Sequence, residues 1–196
     1  WQLKGISEAK SGDPEKALSD FEKALALDPA RPDVNMNLGS VYFSKGHMAS
    51  AVSYVKRAVK LEPRNPLYRY QLGLIYFYLE RYEEALPFFS EAIRLKPDFV
   101  EAYSNLGTTF GTLKRYPDAI QAFERAVQLK PDFAQAHFNL GSVYYAVGRY
   151  QDAVKEFSDA VRLKPDDAEA HYQLGLNYGN LGNFQDAAIS YEEAVR

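Results

Sequence analysis

Cysteine is absent from all 196 residues. That excludes disulfides, thiolate nucleophiles, zinc–cysteine sites and iron–sulfur clusters together, and it leaves the redox compartment open, since a chain without thiols suits either. No uninterrupted apolar run reaches the ~18 residues of a membrane span, so no membrane insertion is expected. An excess of basic charge is also missing: 23 Lys and Arg against 26 Asp and Glu leave a net charge of −3 and a pI near 5.7, the wrong balance for a nucleic-acid partner. The chain opens Trp1-Gln2-Leu3-Lys4 with no initiator methionine, leader or transit segment, and reads as a piece of something longer. The sequence leaves the compartment unknown, with a soluble, cytoplasmic setting slightly favoured. What is present is 46% apolar, 25% charged and 14% aromatic, enough for a substantial core at ~100–200 residues per domain.

Self-similarity organises that material. Proline recurs at Pro29, Pro63, Pro97, Pro131 and Pro165, every gap being 34 residues. At an ordinary proline frequency of ~5%, four successive hits arise by chance on the order of once in 10⁵. Two alanine columns keep the same step, one from Ala17 through Ala51, Ala85, Ala119 and Ala153 to Ala187, the other from Ala24 to Ala194. A glycine column runs Gly5, Gly39, Gly73, Gly107, Gly141, Gly175. Six copies result, the first and last clipped, over approximately 1–31, 32–65, 66–99, 100–133, 134–167 and 168–196, and the whole of 1–196 is expected to form one domain.

Each copy holds two helical patterns. In the fifth, Leu140, Val143, Tyr144 and Val147 stand at i, i+3, i+4 and i+7, one face of an amphipathic helix. After Gly148-Arg149-Tyr150 a second face follows from Ala153, Val154, Phe157, Ala160 and Val161, with Lys155, Glu156, Asp159 and Arg162 on its outward side. Lys164-Pro165 ends it, because proline has no N–H to continue the ladder. Lys96, Lys130 and Lys164 are expected on the last turns, where a cation suits the helix dipole. Glycine inside a helix costs about 1 kcal/mol relative to alanine. Repeating it in phase predicts close approach of the partner helix, with the alanine columns on the other side of the same contact. The fold class is therefore all-α, antiparallel helix pairs stacked in a row.

These columns resemble the tetratricopeptide repeat (TPR) family: a Leu-Gly pair with an aromatic three residues on, two alanines seven apart and a closing proline, carried in order by Trp1, Leu38-Gly39, Tyr42, Ala51, Ala58 and Pro63. The resemblance covers the whole chain. It implies an alpha-alpha superhelix, a right-handed solenoid in which each first helix lines a concave groove. Lys4 and Glu8 depart from the expected leucine and aromatic, and Val55 stands where other copies have Phe21, Phe89, Phe123, Phe157 and Tyr191. Pro87 falls inside a second helix, where a mild distortion is expected, and Pro117 sits in a first turn that tolerates it. The last apolar face lacks a polar capping helix, so cover by further sequence or another molecule is expected.

Signals of catalysis are scarce. His137 and His171 share one column and lie a full repeat apart, so they read as two large polar residues rather than a shared metal site. Gly175, Gly179 and Gly182 follow no strand, which fails the context that a phosphate loop requires. Asp118, Asp152 and Asp186 read as helix-start residues. No nucleophile–base pair appears, and neither enzyme activity, metal nor cofactor is expected.

The groove columns carry the functional reading. Asn37, Gln71, Asn105, Asn139 and Gln173 form an uninterrupted ladder of amides, each able to donate to a carbonyl and accept from an N–H of an extended peptide. The ladder resembles the asparagine ladder of the peptide-binding arm of O-linked N-acetylglucosamine transferase; solvating the groove or bracing neighbouring helices is the alternative. Beside it run Met36, Tyr70, Ser104, Phe138, Tyr172 and Phe43, Phe77, Gly111, Tyr145, Gly179, rings that favour a partner if exposed. Gly111 is expected to leave a gap for one bulky partner side chain, unless the neighbouring rings collapse into it. TPR domains that grip acidic chaperone tails use lysine, arginine and asparagine on three adjacent first helices. Here those columns read Gln2, Met36, Tyr70, Ser104 and Asp33, Leu67, Glu101, Gln135, Glu169, with no two-lysine clamp, so a neutral to mildly basic protein or peptide partner is expected. Residues 32–65 hold five basic and two acidic groups, and 168–196 one and four, a polarity that suits head-to-tail homo-oligomers. The resulting expectation is a non-enzymatic protein-interaction scaffold. A self-associating architectural array, or the targeting arm of a larger enzyme such as a glycosyltransferase, is the alternative.

Overall fold

The computed structural model describes residues 13–196; the expectations for Trp1, Gln2, Lys4, Gly5 and Glu8 lie outside the described residues. The chain divides into two compact units, Trp1–Pro97 and Asp98–Arg196. The first holds α1 (Pro14–Leu27), α2 (Pro32–Ser44), α3 (Met48–Leu61), α4 (Pro66–Tyr78) and α5 (Tyr82–Leu95). The second holds α6 (Val100–Thr112), α7 (Tyr116–Leu129), α8 (Ala134–Ala146), α9 (Tyr150–Leu163), α10 (Ala168–Asn180) and α11 (Phe184–Ala194). All described elements are helices, and the repeats from 32 onward fold as hairpins: α2 on α3, α4 on α5, α6 on α7, α8 on α9, α10 on α11.

Local chemistry sets the boundaries. Pro14, Pro32 and Pro66 open their helices, where a missing N–H is harmless. The side chains of Asp13, Asn65 and Asp167 accept from the backbone N–H groups of Lys16, Leu67 and Ala170, which satisfies otherwise orphaned donors. The periodic prolines fall in the turns between hairpins. Lys96, Lys130 and Lys164 stand one residue past the helix ends, as C-caps rather than on the last turn. Pro87 lies inside α5, which runs unbroken. Within each hairpin the tight turn needs a left-handed residue, and Gly46, Glu80, Lys114, Gly148 and Gly182 occupy it at φ of 58–76°.

The in-phase glycines mark close approach of the partner helix, as expected, and at most of them what comes close is an aromatic ring. A Cβ at Gly73 would lie 2.8 Å from Phe89, at Gly107 2.9 Å from Phe123, at Gly141 3.1 Å from Phe157 and at Gly175 2.7 Å from Tyr191. From Gly73 onward the in-phase glycine is therefore a seat for the ring of the second helix. At Gly39, where the second helix carries Val55 instead of a ring, an added Cβ would meet Val55 Cγ2 and, at 3.3 Å, the Ala51 carbonyl oxygen. The seated Phe123 and Phe157 pack with Ala119, Leu140, Val143, Tyr144, Ala153 and Leu174 in the core of the second unit, and in the first unit Phe21 packs with Leu18, Val34, Leu38 and Val41. In the second unit each first helix of a hairpin also touches the next one, α6 with α8 and α8 with α10, so the first helices form its inner side. Among the described residues no helix is long and apolar enough to cross a membrane.

Candidate functional site

Every described first helix turns one side to its hairpin partner and leaves a stripe open at i, i+4, i+7 and i+11. On α6 that stripe is Glu101, Asn105, Thr108 and Thr112; on α8 Gln135, Asn139, Ser142 and Ala146; on α10 Glu169, Gln173, Leu176 and Asn180, all partly or fully exposed. In the first unit the same positions are Asp33, Asn37, Ser40 and Ser44 on α2, then Leu67, Gln71, Leu74 and Tyr78 on α4. The amide ladder is thus the second rung of an open stripe. Asn37, Phe43, Tyr70, Gln71 and Phe77 belong to the first unit; Asn105, Gly111, Phe138, Asn139, Tyr145, Tyr172 and Gln173 belong to the second. The α4 stripe is set apart by exposed Leu67 and Tyr78, while α2 in the first unit and the helices of the second offer mainly amides, hydroxyls and carboxylates.

Three ladder amides already bond along their own helices. Asn105 Nδ2 donates to the Glu101 carbonyl at 2.9 Å, Asn139 Oδ1 accepts from Gln135 Nε2 at 2.9 Å, and Gln173 Nε2 donates to Glu169 Oε1 at 2.7 Å. The bracing alternative is therefore part of what they do. For Asn139 and Gln173 the bond occupies one end of an amide that carries both donors and acceptors. Thr108, Thr112 and Ser142 likewise donate to carbonyls four residues back.

The rings are more embedded than their column suggested. Tyr70 lies 5.9 Å from Phe89, Phe138 5.5 Å from Phe157 and Tyr172 5.7 Å from Tyr191, centroid to centroid, so this column roofs the seated rings of the core. Phe43 meets Tyr78 at 5.2 Å and Phe77 meets Tyr82 at 5.3 Å, both edge-on. Tyr145 and Tyr172 remain open, at 39% and 46% exposure. At Gly111 an added Cβ would meet only Val143 Cγ2, at 3.9 Å. Room for a side chain exists there, and Gly111→Ala should be neutral or stabilising by up to about 1 kcal/mol in urea unfolding; a clear loss of stability would show the space to be filled.

Sequence reading missed a second periodic device, although its arginines stand 34 apart. Arg81, Arg115 and Arg149 place their guanidinium groups 4.8, 4.5 and 4.4 Å from the rings of Tyr76, Phe110 and Tyr144. Each also pairs with a first-turn acid, Glu84, Asp118 or Asp152. The arginines thereby staple the two helices of each hairpin, and Asp118, Asp152 and Asp186 stand in first turns, as the helix-start reading had them. Tyr144 donates to Glu124 at 2.8 Å, and burial together with that carboxylate pushes its phenol up to about 12. The two histidines share a structural bond: His137 and His171 Nε2 reach the carbonyls of Pro131 and Pro165 at 3.0 and 2.8 Å, as Arg69 Nε reaches that of Pro63. His137 alone has a second buried partner, Glu156 Oε2 at 2.8 Å from Nδ1, which raises its pKa above the ordinary imidazole value against the opposing pull of burial.

Helical hairpins at a 34-residue step, each presenting an open stripe on its first helix, define an α-helical repeat protein. A tetratricopeptide repeat family model matches residues 70–132, 104–168 and 138–196, and the chain belongs to that family. A model for anaphase-promoting complex, cyclosome, subunit 3 matches residues 12–92. Among solved structures, MamA is 27% identical with a TM-score of 0.78, covering 84% of this chain and 96% of its own. PilF of Pseudomonas aeruginosa, at 22% identity and a TM-score of 0.85, covers 96% and 86%. YrrB, described as a TPR protein with an unusual peptide-binding site, is 24% identical with a TM-score of 0.77 over 89% and 90%. The latter two share the fold. No curated protein sequence matches.

Proposed function

We propose that this chain is a protein-interaction scaffold whose second unit takes an extended peptide segment along the open stripe of α6, α8 and α10. The observation that carries this reading is the polar inner face itself. Asn105, Asn139 and Gln173 recur one repeat apart on first helices that touch one another, with the Tyr172 ring open beside them. Amides suit a peptide backbone whatever its side chains, and Glu101 and Glu169 at the first rung favour a partner that is neutral to mildly basic. YrrB, a protein of the same fold, is described as having a peptide-binding site, in keeping with such a use of the architecture. Gly111 offers the adjoining space for one bulky side chain of the peptide.

The test is a displayed peptide library selected on the chain, with hits remeasured by fluorescence anisotropy against a variant carrying Asn105→Ala, Asn139→Ala and Tyr172→Ala. Phe138 is left intact because its ring packs on Phe157, where truncation would confuse stability with binding. At about 0.5–1.5 kcal/mol per lost hydrogen bond, affinity should fall by roughly tenfold or more, and Gly111→Phe should weaken the same peptides. Equal affinity of both proteins would place binding elsewhere and end this reading.

A further inference from the structure

His137 on α8 stands at a point where hydrogen-bond chemistry is over-determined. Its Nε2 lies 3.0 Å from the Pro131 carbonyl, and a carbonyl oxygen only accepts, so Nε2 carries the hydrogen. Nδ1 then faces Glu156 Oε2 of α9 at 2.8 Å. A lone pair and a carboxylate oxygen at that distance repel, so a positive charge must sit between them. A proton is one such charge.

The surroundings offer the coordination set for another. Asp159, one turn further along α9, brings a carboxylate oxygen within 4.8 Å of both the His137 nitrogen and the Glu156 oxygen. Among the described residues no other trio of His, Asp and Glu ligand atoms comes together in this way. In the same three columns the other hairpins have Asn35, Tyr54 and Arg57; Arg69, Phe88 and Glu91; Tyr103, Ala122 and Arg125; His171, Ser190 and Glu193. Only repeat 134–167 combines an imidazole with two carboxylates.

We propose that His137 Nδ1, Glu156 and Asp159 form a binding site for a divalent transition-metal ion of the zinc type, which replaces the proton between the imidazole and the carboxylate. The second coordination shell is already built. Metal-ligating histidines characteristically donate their other ring N–H to a backbone carbonyl or carboxylate, and Pro131 is placed to accept it. Cation neighbours leave the site open: Lys155 reaches Glu156 Oε1, not the oxygen facing the imidazole, and Arg162 contacts only Oδ1 of Asp159. Both side chains are largely in solvent, and Asp159 itself is 31% exposed, which gives an entry path. Zinc bonds of about 2.0–2.2 Å in tetrahedral geometry place ligand atoms roughly 3.3 Å apart, so the Nδ1–Oε2 pair has to open by about half an ångström. Three protein ligands leave the fourth position to water. The imidazole favours zinc, cobalt or nickel over magnesium or calcium, which prefer all-oxygen shells. Nothing in the peptide reading is needed for this site, since it lies between α8 and α9 rather than on the open stripe.

The experiment is isothermal titration of the chain, free of any histidine tag, with Zn²⁺, and with Mg²⁺ and Ca²⁺ as comparisons, alongside visible absorption on Co²⁺ addition. The expected result is one Zn²⁺ per chain, an intense d–d band of a four-coordinate cobalt centre, and no comparable binding of Mg²⁺ or Ca²⁺. Asp159→Asn is the decisive variant because that side chain reaches the surface and its loss leaves the core packed; it should weaken Zn²⁺ binding at least tenfold with an unchanged circular dichroism spectrum. His137→Asn should abolish the cobalt band, and His171→Asn should leave both signals as they are. Absent Zn²⁺ binding, binding unaffected by Asp159→Asn and His137→Asn, or binding that follows His171 would each overturn the proposal and leave a proton-bridged ion pair.

Discussion

Truncation of Phe157 to alanine will lower the stability of the second unit by about 3–5 kcal/mol, the range for a large aromatic removed from a core that only partly collapses. Phe157 is fully buried. Its ring is seated on Gly141, roofed by Phe138 and joined in one cluster to Leu140, Val143 and Tyr144 of α8 and Leu174 of α10. Repeat arrays are nearly one-dimensional, and each hairpin leans only on its neighbours. The loss should therefore be local. In native-state hydrogen exchange the amides of α8 and α9 should lose protection while those of α2 and α3 keep theirs. A uniform loss across the chain would mean that the array unfolds as one cooperative block, and an unchanged urea midpoint would mean that Phe157 is not the keystone of its hairpin.

Much of this core was legible in the sequence because its period is long and strict. A glycine repeated in phase inside a helix has no reason to persist without a close contact, and the alternation of two amphipathic faces fixes the hairpins. The identity of the contact was not legible. Which column of the second helix faces Gly107 depends on the crossing angle of two helices, and neither helix's own periodicity specifies that angle. The same gap hid the pairing of His137 with Glu156, nineteen residues away on the other arm of the hairpin. It also hid the arginine staples, whose 34-residue step was visible but whose stacking on Tyr76, Phe110 and Tyr144 was not. Turn chemistry misled in a different way. Glu80 and Lys114 occupy the left-handed position that Gly46, Gly148 and Gly182 fill elsewhere, so residue type alone concealed a conserved geometry within the repeat.

The amide ladder shows how far a column can be read. Its position was fixed by period: Asn105, Asn139 and Gln173 all stand on the open stripe. Its bonding was not, because an exposed amide one turn from Glu101, Gln135 or Glu169 has a local partner available at i−4. A peptide arriving at these residues has to compete with, or add to, bonds of roughly 1 kcal/mol each. That sets the scale of the effect expected when the ladder is removed.

Gly107→Ala should destabilise the chain by about 1–3 kcal/mol, although alanine is the better helix former by about 1 kcal/mol. The added methyl would lie 2.9 Å from three ring atoms of Phe123, inside any normal carbon–carbon contact, and Phe123 is itself almost completely buried with little room to retreat. Four residues on in the same helix, Gly111 has open space, so the opposite sign is expected there from the same chemical change. The pair separates propensity from packing within one element. The cause can be assigned by a double-mutant cycle in urea unfolding. If the ring is what the methyl strikes, Gly107→Ala should be markedly less harmful in a Phe123→Leu background, with a coupling of about 0.5–3 kcal/mol between the two sites. An identical penalty in both backgrounds would mean that α6 and α7 are held together by something other than the glycine seat, and the same reading at Gly73 and Gly175 would fall with it.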